Sequence, residues 1–238
     1  MSYYGYPPYV SVAEKKEKSL KALAKLKAKN KDLQPITIEG RTLVKSWWGK
    51  AWNENLESYA DYSNRISRGR SYVRNNAVLD LKIAKGEVKA IVQGSSSKPY
   101  TISILIDKLS KERWNKVIDL CNHRVDTLEE LLAGSFPKDL VALFKEKKYG
   151  LFPSPKEIHF DCSCPDWASM CKHIAAVLYG IGARLDTNPL LFFELRDIDS
   201  MELVKKSMEK KLDNMLKNAN KKSERKIVEK DVFDLFGI

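Results

Sequence analysis

The sequence predicts an α+β fold, an antiparallel β-meander packed with helices, and three observations carry that reading. Ala77 to Ile106 breaks into three short segments of alternating apolar and polar residues divided by turn residues. The flanking stretches instead place apolar residues at helical spacing, Trp48, Trp52, Leu56 and Tyr59 on one side and Leu128, Leu131 and Leu132 on the other. Between Phe160 and Tyr179 a short alternating strand gives way, through Pro165-Asp166, to a second helical pattern in a stretch dense with cysteine. With 238 residues, 43% of them hydrophobic, the chain can build one large or two small cores. No run reaches the ~20 apolar residues of a membrane span, so no membrane is expected as a partner.

Residues 1–35 read as a flexible aromatic and basic arm with an amphipathic helix. Residues 1–10 hold four tyrosines, two prolines and a glycine, a composition unsuited to a regular element. They also lack the charged start and apolar run of a secretory signal, so a cytoplasmic, reducing setting is expected, where clustered thiols favour metal over disulfides. Ser11 to Asn30 opens with Ser-x-x-Glu and sets Leu20, Leu23 and Ala24 among lysines, as a basic amphipathic helix does. Composition does not separate a solvated surface helix from a polyanion-binding arm.

Residues 36–155 form the expected scaffold domain. Pro35 to Glu39 looks extended, and Ser46 caps a helix whose tryptophan-rich face belongs in a core. Asn64 to Arg74 is expected to be a loop. Its Arg65, Arg68, Arg70 and Arg74, set around a glycine and Tyr72, suit bidentate phosphate contacts, and the alternative is pairing with the chain's own acids. In the meander, Asp80 followed by Glu87-x-Lys89 imitates a metal-dependent nuclease, but alternation with the apolar set puts them on the solvent face as cross-strand charge pairs. Ser110 to Lys148 gives three helical pieces with apolar faces, Cys121 among the core residues, and Tyr149 to Pro155 links them onward.

Residues 156–186 carry the chemistry. Lys156 to Asp161 alternates like a strand, and side chains two apart on a strand share a face, so Cys162 and Cys164 can approach one ion. Ser169 or Asp166 can cap the following helix, whose Ile174, Val177, Leu178 and Ile181 are helically spaced and which is expected to end near Gly180 or Gly182. Cys171 belongs at the helix start and His173 in its first turn. Cys162, Cys164, Cys171 and His173 together supply three thiolates and an imidazole, a complete tetrahedral set for Zn(2+). Three thiolates on one divalent ion leave a negative centre, which Lys172 and the helix N-terminus partly offset. A closed shell leaves no position to activate water, so a structural site in a protein that is not an enzyme is expected. His159 and His123 read as structural.

The series Cys162-x-Cys164, six residues, Cys171-x-His173, with Asp166-Trp167 before the third cysteine and an apolar helix after His173, resembles the SWIM zinc finger. Trp47, Trp48 and Trp52, and the later Arg-Gly-Arg-Ser-Tyr, are similar to bacterial and archaeal SWIM-containing proteins found with Swi/Snf-type helicases. The resemblance implies a strand-hairpin-helix zinc module used for DNA binding or protein contacts, and no reaction.

Residues 187–238 form a helical C-terminal extension with an apolar tail. Asn188-Pro189 starts a short helix through Leu195, Ser200 opens another, and Asn218 to Lys226 is too polar for a core. In the last eight residues Phe233, Leu235 and Phe236 are candidate partner-binding residues, with docking on the chain's own domain as the alternative.

Charge sets the partner class. The chain carries +11 with pI about 9.3, and residues 1–76 hold 15 basic and 7 acidic residues, most of that excess. A polyanion is the natural partner. The expected function is therefore a zinc-binding, nucleic-acid-binding accessory protein, which the SWIM resemblance implies acts with a helicase or larger assembly, with Arg65, Arg68, Arg70, Tyr72, Arg74 and Lys172 as the nucleic-acid contacts. The alternative is a structural subunit using the zinc module and tails for protein contacts. No small-molecule substrate is expected.

Overall fold

The computed structural model of the chain describes residues 10–40, 42–58, 63–122, 144 and 150–199, with scattered positions between 205 and 217. The aromatic arm before Val10, the side chain of Cys121, His123, most of the later helical pieces before Tyr149 and the tail with Phe233, Leu235 and Phe236 lie outside the described residues.

The fold is α+β. Helices α1 (Val12–Lys29), α2 (Trp47–Glu57) and α3 (Ser63–Arg74) precede strands β1 (Val78–Ala84), β2 (Glu87–Val92) and β3 (Tyr100–Ile106). Helix α4 (Lys111–Asn122), strand β4 (Ile158–Cys162), α5 (Lys172–Thr187) and α6 (Leu191–Leu195) follow. The four strands make one antiparallel sheet in the order β1-β2-β3-β4. The cysteine-bearing strand β4 is therefore the sheet's fourth strand, with Cys162 opposite Ile102 and Ile158 opposite Ile106.

Helix α5 is the centre of the core. Ala175, Ala176, Val177 and Ile181 are fully buried within it. Expected to stop near Gly180 or Gly182, it instead continues to Thr187, because both glycines are contact positions rather than caps. A Cβ on Gly180 would stand 2.8 Å from Leu81 Cδ1, and one on Gly182 2.6 Å from Asn53 Oδ1. Glycine inside a helix costs ~1 kcal/mol relative to alanine, offset here by the close approach of β1 and α2. Two indoles fix α2 against the same helix, Trp52 Nε1 donating to Leu178 O at 3.0 Å and Trp48 Nε1 to Leu185 O at 2.9 Å. At the helix's far end Asp186 accepts from the Lys45 and Ser46 N–H groups at 2.6 and 2.9 Å, and from the Ser46 hydroxyl that caps α2. Phe144, Phe152 and Phe192 close the core below, with ring centroids 5.1 to 5.7 Å apart.

Two local expectations need correction. Residues 64–74 are not a loop but lie within helix α3. The arginines mask a helical pattern in which Ile66, Gly69 and Val73 form the buried stripe, and Gly69 lies so close to α5 that a Cβ there would meet Ala175 Cβ at 2.6 Å. Asp80 is not on the wet face either. The register shifts between Val78 and Asp80, so the alternation breaks and residues 78 to 81 are all buried. Asp80 then accepts the Gln34 N–H at 2.7 Å, while Ile36 N–H donates to Val78 O and Leu81 N–H to Gln34 O, covering the edge of β1 with the extended residues 34–36. Lys89 pairs with Glu87 of its own strand at 3.0 Å, not across the ladder.

One ion-pair node ties the start of β4 to its neighbours. Glu157, in the turn before β4, accepts from Arg196 Nη2 at 2.8 Å, from Arg113 Nη1 at 3.1 Å and from Ser154 N–H at 2.9 Å. Burial alone would raise this carboxyl, but the donors from Arg196 and Ser154 outweigh it and hold it down at about 2. Arg196 is fully buried, so removing its anion strands a charge in the core. Glu157→Gln should lower stability at neutral pH by roughly 3 kcal/mol in urea unfolding, the low end for a broken buried pair because Glu157 keeps some exposure. Because the folded pKa lies below the ordinary 4.5, the native chain should also lose stability as pH falls from about 4.5 toward 2, and Glu157→Gln should flatten that loss. Equal urea midpoints for the two proteins would contradict this role.

Candidate metal centre

The sulfurs of Cys162, Cys164 and Cys171 and a ring nitrogen of His173 all lie within 4.8 Å of one another. A strand end, a loop and a helix start bring them there. Cys162 ends β4, and the chain stays extended for one more residue, Ser163 donating its N–H to Thr101 O and accepting the Thr101 N–H on its hydroxyl, both at 3.0 Å. Ser163 is thereby held toward β3 while Cys162 and Cys164 share the opposite face, as alternation requires. After the loop through Met170, Cys171 is the N-cap of α5, its sulfur accepting the Ile174 N–H at 3.5 Å. Neither Ser169 nor Asp166 takes that position, because the thiol itself supplies the capping acceptor. His173 follows in the first turn, its Nδ1 3.8 Å from Cys171 Sγ and 4.0 Å from Cys162 Sγ.

These separations fit one small cation. Donors ~2.0 to 2.3 Å from a common ion at tetrahedral angles lie about 3.5 to 3.8 Å apart. The sulfurs themselves point the same way. A hydrogen bond from Cys162 pulls the Cys171 thiol well below its ordinary range, toward the thiolate that a cation requires, while that bond and burial push Cys162 up. Backbone N–H groups of Asp166, His173 and Ile174 also face the Cys164 and Cys171 sulfurs. The cluster can hold a metal ion, and with all four donors engaged a tetrahedral ion has no site left for solvent.

The imidazole is oriented by residues that the motif does not contain. His173 is 1% exposed and lies between two tyrosine rings, Tyr100 at 4.5 Å and Tyr72 at 5.3 Å between centroids. Gly94 makes room for this stack, since a Cβ there would stand 2.4 Å from Tyr100 Cε2 and 2.8 Å from His173 Nε2. Nε2 is buried with no hydrogen-bond partner among the described residues, so ring packing, rather than a polar contact to Nε2, points Nδ1 at the sulfurs. Tyr100 and Gly94 carried no sequence signal, because they reach the site only through the strand register.

Helix α3 flanks the centre and divides its arginines. Residues 65, 68 and 72 fall on one helical flank. There Arg65 pairs with Asp166 of the metal loop at 3.1 Å, Tyr72 packs on His173, and Arg68 is exposed beside Tyr72. Arg70 points away, pairing with Glu57 at 2.5 Å and donating to Tyr179 Oη at 2.7 Å. Arg74 is exposed at the end of the helix, and Lys172 is half-exposed at the start of α5. Arg68, Arg74 and Lys172 make no ion pair among the described residues.

No family model matches the chain, and no solved structure matches it. The chain is similar to the uncharacterized protein Rv2102 of Mycobacterium tuberculosis, 34% identical over 163 residues that make up 68% of this chain and 58% of that protein. The chain spans less than two thirds of that relative's length.

The purified chain should carry one metal ion, and Cys164→Ser or Cys171→Ser should lose it and melt at lower temperature, because binding energy at such a site is folding energy. Elemental analysis and thermal unfolding check both; stoichiometric metal retained in the two variants would contradict the assignment.

Proposed function

We propose that the chain is a zinc-binding, non-enzymatic nucleic-acid-binding protein whose metal centre is a structural module of the SWIM type. Three thiolates and an imidazole suit zinc over harder cations such as magnesium or calcium, which take oxygen donors. The nucleic-acid reading is carried by one observation: Arg68 and Lys172, which make no ion pair among the described residues, flank the cluster on a chain of net charge +11. Zinc would fix α5 to the end of β4, and helix α3, packed along α5, would then present Arg68 to a phosphate backbone at a constant distance from Lys172. Arg65 and Arg70 have other work in this reading. Arg65 holds the metal loop through Asp166, and Arg70 holds α2 to α5 through Glu57 and Tyr179. They are supports, and Tyr72 orients His173. A protein partner such as a helicase would use surfaces beyond this face.

Arg68→Gln with Lys172→Gln should weaken binding to nucleic acid of any sequence and reduce the slope of log affinity against log salt by about two contacts. Arg70→Gln should leave that slope unchanged while lowering thermal stability. Anisotropy titrations at several salt concentrations make the comparison, and an unaltered slope in the double variant would move the interface off the metal centre.

A further inference from the structure

The loop that joins the two halves of the metal centre carries an anomaly. Of the five tryptophans, Trp52 and Trp114 are buried and Trp47 and Trp48 half-buried, whereas Trp167 is 84% exposed. Its setting is not loose. Ala168 and Met170 on the same loop are 8% and 7% exposed. The preceding Asp166 is held from two sides, by Arg65 of α3 at 3.1 Å and by the Ala168 N–H at 3.4 Å. Cys164 and Cys171 anchor the loop at either end. A large flat ring is thus held out toward solvent from a backbone fixed by burial, an ion pair and two metal-ligating residues.

We infer that Trp167 is a stacking platform for an unpaired nucleobase, which makes the metal face a site for single-stranded nucleic acid. This rests on the nucleic-acid reading above and narrows it. The charge on the face that carries the cluster favours a polyanion over an apolar protein surface. Arg65 neutralises Asp166, while Arg68 and Lys172 remain unpaired among the described residues, and a cluster of three thiolates with one divalent ion adds a single negative charge. Single-strand sites combine such cations, which follow the backbone, with aromatic rings on which bases stack irrespective of sequence. A duplex keeps its bases stacked on one another and offers the indole only groove walls and phosphates.

The test is anisotropy titration of the full chain as purified with a labelled mixed-sequence single strand and with a duplex of equal length, for the native protein, Trp167→Ala and Trp167→Phe. The native protein should prefer the single strand. Trp167→Ala should lose roughly tenfold or more on the single strand, the scale of one stacked base, and little on the duplex. Trp167→Phe should retain most of the affinity, and metal content and melting temperature should match the native protein in both variants. Equal single-strand affinity for Trp167→Ala and native protein, or a native preference for duplex, would overturn this inference while leaving nucleic-acid binding in place. Absence of binding to either probe would overturn both. Loss of metal in both variants would also overturn it, since the ring would then be structural.

Discussion

The antiparallel pairing of β4 with β3 is the constraint on which the rest depends. It holds Cys162 opposite Ile102 and keeps the chain extended through Ser163, so two sulfurs two residues apart emerge on one face at the end of the sheet. Helix α5 must then begin at that same end, and Cys171 serves as both its cap and the third donor. The sheet and the candidate metal centre are one construction rather than two modules joined by a linker. An ion at the cluster would therefore act on the whole core through α5, most of whose residues are buried.

Burial and function share residues here with little slack. Tyr72 and Tyr100 enclose His173, Gly94 leaves them space, and Gly69 lets α3 lie against α5. Such contacts tolerate little added volume, since close-packed interiors respond to single methyl groups. The same packing places Arg68 and the metal loop on one face, and it turns Arg70 away to a half-exposed ion pair with Glu57.

The candidate metal donors were legible because their signal is local: four ligands within twelve residues need only one strand and one helix start to converge. The meander and the capping box at Ser11 were legible for the same reason, each governed by period or by neighbours three residues apart. What stayed hidden depends on distant partners. The helical character of Ser63–Arg74 was masked by arginines whose long stems and charges suit a loop equally well, and only the stripe of Ile66, Gly69 and Val73 against α5 decides it. Gly180 and Gly182 read as stops because glycine commonly ends helices, yet β1 and α2 need them as contact surfaces. Asp80 read as solvated because one residue of register shift is invisible in an alternating pattern, although it exchanges the two faces of a strand.

The central claim is that Cys162, Cys164, Cys171 and His173 bind one zinc ion in a closed shell. X-ray absorption at the zinc edge on the purified protein tests it most directly. Three sulfur neighbours at ~2.3 Å and one nitrogen at ~2.0 Å are the predicted shell; a shell of oxygen and nitrogen alone, or one with fewer sulfurs and a bound water, would contradict it.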